Sequence, residues 1–285
     1  MVRQVETSPL AEVMRRVDAS ADGAASEDTL PTGFPSVDKL LGGGLRRGDL
    51  VVLGGDVGSG KSALALAIAL RATQDGRAVA FFTGEAGTER VIERALAIEG
   101  RARLDDLRRG SLDDATRATV GAAALRLRDA APSVAAIPAG GVAGIAEELR
   151  RQLDVELVVL DPLQALASGE RPLAEDVASA VLALKRVAGE LNVALLVTSA
   201  LPGLSVERAD QRPALDDFGA LGALKQHADV VLGLYREEMY GGASHGVEGA
   251  TELAAIKNRN GPTGYVDLYF YKQWMRFEDM LDPDR

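Results

Sequence analysis

The run Gly55-Asp56-Val57-Gly58-Ser59-Gly60-Lys61-Ser62 has the residue types and spacing that hold a nucleoside triphosphate. Its glycines let the backbone curl so that successive N–H groups face a β-phosphate, and a helix starting at Lys61 adds its positive end. Lys61 would reach the β- and γ-phosphates, and the Ser62 hydroxyl would ligate Mg²⁺. A second piece is Leu157-Val158-Val159-Leu160-Asp161, an apolar strand ending in an acid. Asp161 would then lie beside the loop and hold a water of the Mg²⁺ shell. Glu85 follows the strand residues Phe81-Phe82-Thr83 after one glycine, where a carboxylate can orient or deprotonate attacking water. The competing reading of Glu85 is a solvated loop carboxylate. Lys257 and Arg259 stand two apart at a strand end and therefore point the same way. An Asn260-Gly261-Pro262-Thr263-Gly264 turn follows them. By residue type alone, that stretch is equally an ordinary basic turn.

Elements that could position these groups alternate along the chain. Apolar runs predict strands at residues 49–53, 78–83, 134–137, 156–161, 193–198, 229–235, 251–257 and 265–271. Helical spacing predicts helices at 61–73, 88–98, 102–128, 144–153 and 174–191. Strands separated by helices pair in parallel with right-handed crossovers, while the short final connections predict an antiparallel edge. The fold class is therefore α/β, a mostly parallel twisted sheet flanked by helices. Residues 1–29 differ from the rest. Leu10, Val13, Met14 and Val17 lie at helical spacing within 9–18 behind Ser8 as an N-cap, and 19–27 are small and polar like a flexible linker. The division expected is a docking helix plus linker over 1–29 and an ATPase domain over 30–285. The alternative for the helix is packing on its own domain.

Composition excludes several chemistries. Without cysteine there is no disulfide, Cys-ligated zinc or thiol catalysis, which fits a cytoplasmic protein. With His227 and His245 alone, a histidine metal site or a Ser-His-Asp triad is not expected. No apolar run approaches a membrane span. The formal net charge of −10 means that any nucleic-acid binding must come from a local basic strip.

Taken together the motifs resemble a family. Pro31-Thr32-Gly33-Phe34-Pro35-Ser36-Val37-Asp38, Gly48-Asp49-Leu50, Asp161-Pro162-Leu163-Gln164 and Leu191-Asn192-Val193 resemble the C-terminal ATPase domain of DnaB-type replicative helicases. So do Gln226-His227-Ala228-Asp229-Val230, residues 257–264 and Arg276-Phe277-Glu278. Gly42-Gly43-Gly44-Leu45, Gly54-Gly55-Asp56 and Gly84-Glu85 are more similar to RadA/Sms and KaiC, ring-forming relatives. The resemblance implies a RecA-like P-loop core, ATP with Mg²⁺ between subunits of a hexamer, and water activation by Glu85. It implies too that Lys257 and Arg259 reach the neighbour's γ-phosphate, and that the N-terminal helix docks on an adjacent subunit. There are departures. The helicases' Ser-Gln-Leu after the 193–198 strand is here Ser199-Ala200-Leu201, followed by Pro202-Gly203. Their Arg-Glu-Ser-Gly-Ala becomes Gly219-Ala220-Leu221-Gly222-Ala223, and the channel loop is the short Ala167-Ser168-Gly169-Glu170-Arg171. The expected function is thus a ring ATPase of this helicase family, with single-stranded DNA as a weak partner. A KaiC-like regulatory ring without DNA movement, or a paralogue with negligible hydrolysis, are the competing readings.

Overall fold

Strands with apolar side chains on both faces are satisfied only between two helical layers, and the chain builds that arrangement. The computed structural model describes residues 8–21, 28–152, 154–201, 208–241 and 248–280. In chain order the elements are α1 (Pro9–Ala21), β1 (Thr29–Leu30), α2 (Pro35–Leu41), β2 (Leu45–Arg46), β3 (Leu50–Gly55), α3 (Lys61–Gln74), β4 (Val79–Thr83) and α4 (Thr88–Gly100). Then come α5 (Leu104–Arg109), α6 (Asp114–Asp129), β5 (Ser133–Ala136), α7 (Gly141–Arg151), β6 (Leu157–Asp161), α8 (Leu173–Leu191) and β7 (Ala194–Ala200). The last are α9 (Ala223–His227), β8 (Val230–Tyr235), α10 (Glu238–Gly241), β9 (Ala250–Asn258), β10 (Gly264–Tyr271) and β11 (Arg276–Asp279).

The main sheet has nine strands in the order β11-β10-β9-β8-β3-β7-β6-β4-β5. From β8 to β5 neighbours pair in parallel. β9, β10 and β11 add antiparallel along one edge, as the short final connections require. β3 shows why the central strands read as unbroken apolar runs. Val51 and Leu53 pack into the core that α3 covers, and Leu50 and Val52 into the core that α8 covers.

One expected helix is in fact two. Residues 102–128 break where Gly110, at φ 67°, closes α5 and the Asp113 carboxylate accepts from the Thr116 N–H to start α6. A glycine C-cap followed by an aspartate N-cap is a stop and a restart, which an Ala/Leu/Arg-rich composition conceals. Helix α7 also begins three residues earlier than expected, and Leu153 lies outside the described residues. Thr29 pairs with Arg46, so ordered pairing starts one residue before the boundary expected at residue 30.

Helix α1 turns its apolar stripe outward. Leu10 is 69 % exposed, and Val13, Met14 and Val17 are exposed as well. Arg16 pairs with Asp28 where the chain enters β1. Residues 22–27, most of the expected linker, lie outside the described residues, as do Pro202, Gly203 and His245.

Candidate nucleotide site

The loop leaves β3 at Gly55 and enters α3 at Lys61. Two of its positions admit only glycine. A Cβ on Gly55 would lie 2.6 Å from the Ser59 hydroxyl and 2.9 Å from the Leu234 carbonyl. Gly60 has φ +105°, and its Cβ would meet the Phe277 ring at 2.9 Å. Val57 and Gly58 form the exposed crest, with Ser59 buried beneath.

Lys61 Nζ donates to the carbonyls of Gly55 (3.0 Å) and Asp56 (2.9 Å). Burial pushes its pKa below the usual lysine range, while the carboxylates of Asp161, Asp56 and Glu85 pull it back up. Those three acids therefore share the field around the lysine, and Glu85 stands exposed just beyond the end of β4. Ser62 Oγ donates to Asp161 Oδ1 at 2.9 Å, and Thr198 Oγ1 donates to the same oxygen at 2.5 Å. Asp161 is thus a buried carboxylate aimed at the first turn of α3. Among the described residues no group of three His, Cys, Asp or Glu side chains could hold a metal by itself. A hydroxyl and a carboxylate do fit Mg²⁺, which takes its other ligands from phosphate and water.

Sequence reasoning missed several partners of the loop. Arg236 Nη1 donates to the Gly58 carbonyl at 3.0 Å and pairs with Glu238, which also takes Lys272 Nζ at 2.8 Å. Tyr240 OH donates to Asp56 Oδ2 at 3.0 Å, and burial together with that bond raises its pKa. Arg236, Glu238 and Tyr240 come from the stretch just after β8, where Arg236 is 5 % exposed, and Lys272 from just after β10. At the end of β7 residue 200 carries no side-chain amide, but Gln164 supplies one. Its Nε2 donates to Ser199 Oγ at 3.1 Å and its Oε1 accepts from the Ala200 N–H at 3.3 Å.

Lys257 and Arg259 lie elsewhere. Asn258 pairs with Val230, and Val230 with Val51 at the start of β3, whereas the loop begins at Gly55. Four strand residues at about 3.3 Å each separate the two ends by roughly 13 Å of backbone. The cations do point the same way. Lys257 Nζ donates to Lys225 O (2.8 Å) and Ala228 O (2.5 Å), while Arg259 donates to Gln226 O and to Asp229 Oδ1 (3.1 Å). Both therefore satisfy acceptors at the C-terminal end of α9. Burial, and after it the charge of Arg259, lowers the pKa of Lys257. Bound in this way, neither side chain serves the loop of its own chain.

A glycine loop between a parallel strand and a helix, with a neighbouring-strand aspartate on its serine, defines a P-loop nucleotide-binding ATPase domain of the RecA-like class. The chain belongs to the DnaB-like helicase C terminal domain family, whose model matches residues 29–279. It is 32 % identical to the replicative DNA helicase DnaB of Leifsonia xyli subsp. xyli, over 96 % of this chain and 61 % of that protein. To the replicative DNA helicase DnaB of Geobacillus stearothermophilus it is 30 % identical, over 97 % of this chain and 61 % of the other. The chain thus spans about three fifths of the length of these curated relatives. A solved structure of a DnaB-like replicative helicase, described with its primase interactions, superposes at TM-score 0.84. It is 25 % identical and covers 95 % of this chain and 66 % of its own. A second solved structure, that of an ATPase domain by itself, superposes at TM-score 0.87 with 24 % identity. It covers 97 % of this chain and all of its own, and supports the fold. The helicase-family match includes the P-loop half, so the RadA- and KaiC-like wording there is local. No described helix is long and apolar enough to cross a membrane.

Proposed function

We propose that this chain is the ATP-hydrolysing domain of a ring-forming DnaB-like helicase, each site being held by one subunit and completed by the next. The observation that carries the reading is the separation of the chemical groups. Phosphate- and metal-binding groups gather at the carboxyl ends of the parallel strands, and the candidate finger cations at the amino ends. In this reading residues 55–62 bind the phosphates, Ser62 and Asp161 hold Mg²⁺, and Glu85 polarises the attacking water. Lys257 and Arg259 neutralise charge at the neighbour's γ-phosphate. Hexameric self-association and a cytoplasmic setting follow from the likeness to the helicases.

Helix α1 is the docking element of this assembly, because a helix with four exposed apolar side chains gains by covering them. Deleting residues 1–18 is expected to lower the oligomeric state while leaving the ATPase core folded. Sedimentation velocity across a dilution series, with circular dichroism as the control, checks this. An unchanged profile returns α1 to a role within its own subunit.

One observation favours a ring that moves DNA poorly. In loop 167–171 the single cation, Arg171, is already bound to Asp176 Oδ1 at 3.0 Å and to Ser179 Oγ at 3.2 Å. Single-strand grooves need positive charge tracking the backbone and aromatic stacking partners, yet aromatics are 4 % of this sequence. Each phosphate contact adds roughly one counterion to the salt dependence, so few cations mean high-micromolar or weaker binding at physiological salt. The expected result is weak single-strand binding and little stimulation of hydrolysis, measured by anisotropy and phosphate release at two salt concentrations. Nanomolar binding with strong stimulation restores the motor in full. ATP hydrolysis that ignores DNA, with partner binding set by nucleotide state, favours the KaiC-like regulatory ring.

A further inference from the structure

Asp229, immediately before β8, is 5 % exposed and carries more partners than a strand-capping acid needs. Its Oδ2 accepts from the Leu50 N–H at 2.9 Å and from Lys185 Nζ at 2.6 Å. Its Oδ1 accepts from Arg259 Nη1 at 3.1 Å, and its main-chain carbonyl accepts the Arg259 N–H at 3.0 Å. The arginine is thus gripped twice by one residue. The next residue, Asn260, is tied to the same place, its Nδ2 donating to Asp49 Oδ2 at 2.6 Å. Arg259 Nη2 also donates to the Gln226 carbonyl, yet the side chain as a whole remains 47 % exposed.

An unsupported arginine loses much rotamer freedom when it must meet a phosphate, and a planar fork held in advance loses less. We propose that Asp229 is a positioning residue for Arg259: a buried carboxylate, itself fixed to β3 and α8, that presents the guanidinium to the adjoining subunit. The inference rests on the shared-site reading above and adds the residue that sets the finger's geometry.

The competing role is structural and acts within the same subunit, since the Leu50 N–H bond also secures the strand that leads to the P-loop. Complementation separates the two. In the full chain, Asp229→Asn keeps an acceptor for Leu50 but loses the charge that holds Arg259. Its kcat is expected to fall about tenfold to a hundredfold, the scale of a misplaced catalytic group, with fluorescent-ATP affinity unchanged. Mixed with Glu85→Gln subunits it regains activity; mixed with Arg259→Ala subunits it does not. Lys185→Met removes the α8 anchor of Asp229, and any loss of kcat it causes is expected to be rescued by Glu85→Gln subunits and not by Arg259→Ala subunits. Asp229→Glu, which keeps the charge but displaces it by one methylene, gives the same assignment if the asparagine variant fails to fold.

Recovery of Asp229→Asn with Arg259→Ala but not with Glu85→Gln places Asp229 in the P-loop group and overturns this inference alone. Wild-type kcat in both Asp229 variants does the same. If Glu85→Gln and Arg259→Ala themselves fail to complement in rings that exchange subunits, the shared site falls, and this inference with it.

Discussion

Lys61→Ala is expected to abolish ATP hydrolysis while the domain stays folded. The ammonium is bonded to two loop carbonyls and sits among Asp161, Asp56 and Glu85, where a γ-phosphate would be met. Removing one preorganised donor of this kind costs about 10²–10³ in rate, and losing the phosphate grip as well takes the activity below detection. Stability should change by only about 1 kcal/mol, because the variant gives up two hydrogen bonds but also removes a charge that burial disfavours. Phosphate release and a thermal melt, run on the same sample, check both halves. Hydrolysis near the wild-type rate would sink the assignment of the loop.

Glu85→Gln and Arg259→Ala are each expected to be inactive alone and to regain activity when mixed. Arg259 lies at the far end of the sheet from its own Gly55, so in the shared-site reading its loss would harm the adjoining subunit's site. A finger acting across subunits is worth about 10³–10⁵ in rate, so each single variant has ample room to fall. In an equal mixture assembling at random, about a quarter of the contacts combine an intact Glu85 with an intact Arg259. Recovery on that scale is expected, peaking at equal mixing. No recovery at any ratio, in assemblies shown to exchange subunits, removes the shared site.

What the sequence disclosed follows from the range of the interactions. Residues 55–62, the Asp161 strand end and the alternating α/β order are legible because strand, loop and helix each carry a local period or a local glycine requirement. The Gly110 and Asp113 caps are local too, but they sit inside one apolar-rich stretch whose composition outweighs them. Tyr240 on Asp56 joins residues 184 positions apart, and Arg236 on Gly58 spans 178, so no window along the chain contains either pair. Lys257 and Arg259 are an intermediate case. Their common direction follows from period two, but their distance from the P-loop depends on the antiparallel register of β9 on β8. Asp229 reads in the sequence as the first residue of a strand, within the family-like run 226–230, and only that register brings Arg259 beside it.

In the shared-site reading, placing the phosphate-binding groups at one end of the strands and the finger cations at the other would also decide the symmetry of assembly. A two-fold pair joins the same patch on both molecules, which would require both ends of the sheet to share one face. Two unlike ends give instead a head-to-tail contact, whose repetition either closes into a ring or winds into an open filament. An isolated dimer then holds one complete site, with an unserved P-loop on one outer flank and an unused arginine on the other. Closure alone makes the number of complete sites equal to the number of chains.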